Sequence, residues 1–272
     1  MLQIVTDSSC DLTDEQLEEH NITVVPLKVT IDGQEYFERV DLSPLEFYGR
    51  MAEALPRTSQ PPPLAFAKIF NALSRKGEVL CLTISSKLSG TYQSACMGKE
   101  MSGGPVTVFD TLAGSLGHGL QVLKAAEMAS AGFSVAKIVE KLKSYRDEMN
   151  ILILLDTLEN IVRGGRLSKF QGTLAKVLDI KVILEGVQGE VELREKIRGR
   201  KRFLNRALEL IGERKQDFSR TVFGITHVNN MPDVDYLEQA IKERFKPAGV
   251  LVNYMGSVMS TYAGKNGMII SF

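Results

Sequence analysis

The amino-acid sequence predicts an α/β protein in two parts, and three observations carry that prediction. Short apolar runs rich in β-branched residues alternate with helical patterns through the first half, the signature of parallel βαβ units. The second half changes character and contains a long antiparallel hairpin. A chain of 272 residues is long enough for two modest domains, and 44% hydrophobic against 24% charged residues supplies a substantial core.

Taken in order, "LQIVTD" predicts the first strand. "SSCDLTDEQLEEHN" follows as a turn and a helix, with Thr13 as N-cap ahead of acidic residues that suit the positive helix end. "ITVVPLKVTI" predicts a second strand, and "DGQEYFE" a hairpin turn with its return strand. In "SPLEFYGRMAEA", Ser43 caps a helix and Pro44 takes its first position. "LPRTSQPPP" predicts a rigid loop, because prolines remove donors and fix φ, and it leads into the helix "LAFAKIFNALSRKG". The strand "EVLCLTI" runs into the hydroxyl-rich "SSKLSGTYQSA", whose helix places Tyr92, Ala95 and Cys96 on one face. Next come the strand "PVTVFDT", the Gly-rich turn "AGSLGHG" and the helices "LQVLKAAEMASAG" and "SVAKIVEKLKSYRDEM". The strand "NILILLDT" ends the first half.

In the second half, "GGRLSKF" introduces a helix through "GTLAKVLD", and "IKVILEGVQGEVELREKIRG" turns back on itself at Gln188-Gly189. "RKRFLNRALELIGERK" predicts a helix with basic outer positions. "TVFGITHV", "VDYLEQAIKERF", "GVLVNYMGSV" and "GMIISF" predict strand, helix, strand, strand. The change of pattern puts a boundary near residues 157 to 166, hence domains over 1–160 and 161–272.

Lys plus Arg equals Asp plus Glu, 33 against 33, with no basic or acidic block, which argues against a nucleic-acid or membrane-surface role. No run approaches the roughly 18 apolar residues of a membrane span, and no basic and apolar leader opens the chain. A cytoplasmic protein without stable membrane insertion is expected. Cys10, Cys81 and Cys96 lack metal-site spacing; Cys81 and Cys96 fit buried thiols in a reducing compartment, while Cys10 lies in a serine-rich turn. There is no phosphate loop, dinucleotide fingerprint, HExxH or GxSxG. His20 falls at a helix end, while His118 and His227 stand singly in loops beyond strand ends, too little material for a triad or a metal centre. No catalytic residue and no metal site is assigned.

Loops beyond strand C-termini are where open α/β sheets bind ligands. Four carry hydroxyls: "TDSSCDL", "TISSKLSGTYQSA", "DTLAGSLGHG" and "DTLENIVRGGRLS". Turn and cap chemistry explains each one singly, but four at one sheet edge point to a site. Within "LSGTYQSA", Gly90 permits close backbone approach, and a helix starting there aims free N–H groups at an anion. A serine nucleophile would need a base that the sequence does not supply. In "RGGRLS", Arg163 and Arg166 flank a Gly-Gly pair, and an arginine there could pair with a carboxylate or phosphate. A capped domain junction with solvated arginines explains the same residues.

In kind, order and spacing, "VTDSSCDL", "TSQPPP", "SSKLSGTYQSA", "DTLAGSLGHG" and "LENIVRGGRLS" resemble the motifs of the DegV family of bacterial fatty-acid-binding proteins, across essentially the whole chain. The resemblance implies an N-terminal three-layer parallel-sheet domain and a smaller two-layer domain with a mixed sheet closing a ligand tunnel. It implies a bound long-chain fatty acid such as palmitate, no cofactor, no chemistry in the protein itself, and presentation of the acid to a separate fatty acid kinase that makes acyl phosphate. Carried over by motif, Thr58 and Ser89 hold the carboxylate, Gly90 and Thr91 complete the loop, and Arg166 lies near the head group or the kinase-docking surface. Near the C-terminus the family usually has "THxGPGALG", whereas "STYAGKNGM" stands here. Tyr262 thus replaces the histidine, its hydroxyl still able to donate a hydrogen bond, and Lys265 could add charge. The alternative is a phosphotransferase using the same loops as an anion site, with Asp7 and Asp110 as scattered acids for a metal ion.

Overall fold

A computed structural model of the chain describes residues 2–51, 56–168 and 179–272. Strand β1 (Gln3–Asp7) passes through a tight 3-10 turn, Ser8–Cys10, to helix α1 (Asp14–Glu19) and strand β2 (Ile22–Val25). Thr13 and Gln16 cap α1 reciprocally, and His20 ends it. Strands β3 (Lys28–Ile31) and β4 (Gln34–Phe37) form the expected hairpin, whose Asp32-Gly33 turn has both φ positive. Then come α2 (Pro44–Met51), β5 (Arg57–Ser59), α3 (Pro63–Leu73), β6 (Val79–Thr83), α4 (Thr91–Glu100), β7 (Val106–Asp110), α5 (Ser115–Ser130) and α6 (Val135–Glu148). The remainder is β8 (Ile151–Leu155), α7 (Glu159–Arg163), β9 (Ile180–Val187), β10 (Glu190–Arg198), α8 (Arg200–Arg214), β11 (Val222–His227), α9 (Met231–Phe245), β12 (Gly249–Tyr254), α10 (Ser257–Ala263) and β13 (Met268–Ser271).

The first sheet is parallel, in the order β2-β1-β6-β7. Both of its faces are covered, which is why "EVLCLTI" reads as an unbroken apolar run and all of β6 is buried. On one face Val5, Val79 and Cys81 meet Phe66 and Phe70 of α3 and Ala95 of α4. On the other, Ile4, Leu80 and Leu82 meet Leu116 and Val122 of α5 and Ile138 and Leu142 of α6. Three layers result.

The second sheet is mixed, in the order β10-β9-β8-β13-β11-β12, antiparallel except for β11 beside β12. Helices α8 and α9 cover its outer face around Phe203, Leu208, Phe223 and Leu237. Its inner face looks toward the first unit across α5. That helix approaches closely because its glycines leave room: a Cβ on Gly117 would stand 3.0 Å from Ser271 Oγ, and one on Gly119 2.5 Å from the Cys10 carbonyl. A small antiparallel sheet, β4-β3-β5, packs Leu27, Val29 and Phe47 against Val258 of α10.

Several elements differ from the sequence pattern. Pro26 divides "ITVVPLKVTI" into β2 and β3, which join different sheets. "LPRTSQPPP" contains β5, because Arg57–Ser59 precede the prolines and pair with β3. The expected turn "AGSLGHG" is largely the first turn of α5, so His118 lies inside a helix and is fully buried. His227 ends β11, and a short helix, α10, follows "GVLVNYM" where only strands are expected. Strand β8 pairs with β9 and β13, so the second sheet begins at Ile151, ahead of the boundary expected near residue 160. The helix expected over "GTLAKVLD" and the end of that over "SPLEFYGRMAEA" lie outside the described residues.

Candidate ligand-binding site

A cavity lies between the two larger sheets. Ile84, Leu88 and Leu112, from loops after β6 and β7, form one wall; Ile153, Val191 and Ile269 of the mixed sheet form the other, and Met259 of α10 faces in. It holds about 830 Å³ of atom-free space, open mouth included. Its lining is mainly aliphatic, and the polar side chains on it are Thr58, Ser89, Arg166, Glu190 and Tyr262.

Four of these polar groups were expected from sequence, and the fold brings them together from four elements. Thr58 sits on β5 opposite Val29, and its Oγ1 is 2.6 Å from the Tyr262 hydroxyl on α10. The Tyr262 ring lies under the Arg166 guanidinium, 5.2 Å from Cζ to the ring centroid, in cation–π contact. The ring also packs against Gly164, where any Cβ would overlap it. Gly165, at φ +69°, makes the turn that brings Arg166 back over the ring. Arg166 donates through Nε to the Leu88 carbonyl at 3.1 Å and through Nη1 to the Gly164 carbonyl at 2.5 Å. The guanidinium thereby braces the β6 loop against the α7 turn.

Ser89 Oγ accepts from the Thr91 N–H at 3.3 Å and lies 2.9 Å from Thr91 Oγ1, capping the start of α4. Gly90 and Thr91 stand behind Ser89 and do not line the cavity. Gly90 matters for another reason: the Gln60 amide lies against it, and a Cβ there would sit 2.6 Å from that side chain. The "TSQP" and "LSGT" motifs are thus two halves of one contact, and Gln60 is the member that sequence reasoning missed. Lys265 is exposed and lies off the cavity lining.

The remaining hydroxyl loops prove to be fastenings. Asp7 accepts from Ser9 N–H (3.1 Å) and Ser9 Oγ (2.5 Å), and through Oδ2 from Ile84 N–H (2.8 Å), tying the β1 and β6 loops together. Asp110 accepts from the Ser86 and Leu112 N–H groups, each at 3.1 Å. The two acids of the phosphotransferase alternative are thus committed to backbone. Three of the four loops do share the carboxyl edge of the parallel sheet, while "DTLENIVRGGRLS" follows β8 in the other sheet. Among the described residues no cluster of His, Cys, Asp and Glu could hold a metal ion, and no helix is long and apolar enough to cross a membrane.

Fold and site together define a class: an α/β protein with a mainly aliphatic cavity between its two larger sheets, where Thr58, Ser89, Arg166 and Tyr262 add polar groups. The chain belongs to the DegV family; a family model described as "Uncharacterised protein, DegV family" matches residues 1–272. A DegV domain-containing protein of Listeria monocytogenes is 35% identical over 267 residues, 97% of this chain and 95% of its own. Among solved structures, a DegV family protein from Thermus thermophilus, described for its fatty acid binding, matches with a TM-score of 0.93 at 31% identity, covering 100% of this chain and 99% of its own. DegV from Bacillus subtilis, described as a fatty acid binding protein, matches with a TM-score of 0.90 at 28% identity, covering 99% of this chain and 98% of its own.

Proposed function

We propose that this protein binds a long-chain fatty acid such as palmitate between its two α/β domains, the second beginning with β8, without catalysing a reaction on it. The observation that carries this is the mainly aliphatic cavity with the Thr58–Tyr262 hydroxyl pair, Ser89 and Arg166 on its lining. An aliphatic cavity rewards each buried methylene by about 0.8 kcal/mol, so affinity comes chiefly from the tail. The carboxylate lies at these polar groups. Of the two hydrogens on Thr58 and Tyr262, one is used between them and the other is free to reach the ligand. Arg166 supplies the balancing charge, and Gly90 and Thr91 hold Ser89 in place. The solved DegV proteins described as binding fatty acids support a fatty acid as the ligand. The protein acts in the cytoplasm and presents the acid to a separate fatty acid kinase for conversion to acyl phosphate.

Native mass spectrometry of the purified protein, with extraction of co-purified lipid, tests the ligand. A mass increment matching one fatty acid is expected; a phosphorylated metabolite in its place would overturn the assignment. Thr58→Ala and Ser89→Ala should weaken palmitate binding while the protein stays folded. If the single and double variants bind palmitate like the parent, the carboxylate lies elsewhere.

A further inference from the structure

Away from the cavity, two carboxyl groups hold the first turn of α10. Asp11, in the loop after β1, accepts from the Gly256 N–H at 2.9 Å and from Ser115 Oγ at 2.5 Å. Glu38, just after β4, accepts through Oε1 from the Val258 N–H at 2.7 Å and from Ser257 Oγ at 3.1 Å. Both residues are buried, at 4% and 2% exposure, and Glu38 Oε2 has no hydrogen-bond partner. They converge on one atom: a Cβ on Gly256 would stand 2.6 Å from Glu38 Oε1 and 2.8 Å from Asp11 Oδ1. The cation facing them is Arg39, whose guanidinium is engaged with the Leu12 carbonyl and Asp14. Ser8 faces Glu38, Cys10 neighbours Asp11, and Tyr48 approaches both from α2.

Two carboxylates so close and so dry cannot both ionise without a large desolvation and repulsion cost. Burial, and then the Glu38 charge, push Asp11 up to about 8, and burial raises Glu38 as well. We propose that Asp11 and Glu38 form a proton-held latch on α10: a proton shared by the pair seats the helix with Tyr262 over the cavity mouth, and its loss lets the helix lift. Helix α10 also brings Val258 and Met259 to the cavity, so lifting it would open the wall beside the head group. The consequence for the ligand rests on the function proposed above; the latch itself does not.

The sign follows from linkage. Lifted, solvated carboxyls release their protons near ordinary values, 3.8 for Asp and 4.5 for Glu, whereas the seated pair keeps one to about 8. Seating therefore weakens as pH rises across that interval. Palmitate affinity is measured from pH 5.5 to 9, and hydrogen exchange at the 256–258 amides is followed on ligand-free protein, corrected for base catalysis. Affinity should fall with rising pH by up to about tenfold per pH unit. Exchange at these amides should accelerate over the same range. Asp11→Asn and Glu38→Gln copy the protonated acids and should flatten both profiles, while palmitate's own titration is common to all samples. Variant profiles that track the wild type, or a flat wild-type exchange profile, would overturn the latch. Exchange that follows pH in a protein that binds no palmitate would sink the fatty-acid function and leave the latch standing.

Discussion

At the scale of single residues, the most specific consequence follows from Tyr262, which stands where the motif resemblance implies a histidine. Its ring packs against Gly164 and under Arg166, and its hydroxyl meets Thr58 at 2.6 Å. Tyr262→Phe keeps these ring contacts and removes the hydroxyl, leaving Thr58 Oγ1 without that partner. A net hydrogen bond is worth about 0.5–1.5 kcal/mol, so palmitate should bind roughly 2- to 10-fold more weakly with the melting temperature nearly unchanged. Titration of both proteins with palmitate checks this, and equal affinities would remove the hydroxyl from the site. Gly164→Ala acts differently, because its Cβ must displace the ring. Overpacking of this kind costs about 1–3 kcal/mol, read by urea denaturation. Thr58, Ser89, Arg166 and Tyr262 were legible in the sequence as motif positions, whereas Gln60 was not. An exposed glutamine carries no signal until the fold lays its amide on Gly90.

At the scale of elements, strands and helices whose burial repeats along the chain were legible, and those defined by distant partners were not. β6 and the β9–β10 hairpin could be read directly from apolar runs and the Gln188-Gly189 turn. Helix α10 could not, since its "SVMSTYA" is short and its first turn is fixed by Asp11 and Glu38, more than two hundred residues away. Glycines in α5 likewise suggested a turn, because their helical use depends on a second sheet packing against them. The hairpin tip makes a testable seam. Gly189, at φ +84°, lies so close to the β6 loop that a Cβ would stand 2.6 Å from Ser85 Oγ, and its carbonyl accepts from that hydroxyl at 2.7 Å. Gly189→Ala should lower stability by about 1–3 kcal/mol in urea denaturation, through backbone strain and lost room together. Full retention of stability would mean that the tip is free to move away from the first sheet.

At the scale of the whole molecule, the parallel three-layer unit was legible because burial on both faces leaves continuous apolar strands, while the seam between the sheets was not. That seam is made of single long-range contacts, such as Gly224 on β11 under Leu116 of α5. Two buried titratable groups beside it set opposite pH dependences for folding. His118 is fully buried, with Nε2 2.8 Å from Thr6 Oγ1, and burial holds its imidazole below the ordinary 6.5. Its contribution is present above 6.5 and is lost as pH falls from there, because the unfolded chain takes up a proton that the folded one refuses. Asp11 runs the other way: folded, it keeps its proton to about 8, so its contribution is present at acid pH and is lost as pH rises from 3.8 to that value. Each slope approaches ~1.4 kcal/mol per pH unit, and below 6.5 the two oppose one another. Stability of the wild type, measured by urea denaturation, should therefore decline as pH rises from 6.5 to about 8. Relative to it, Asp11→Asn should gain stability as pH rises. His118→Gln should instead decline from pH 5 onward. Profiles for the two variants that differ from the wild type only by a constant offset would mean that neither group titrates with folding.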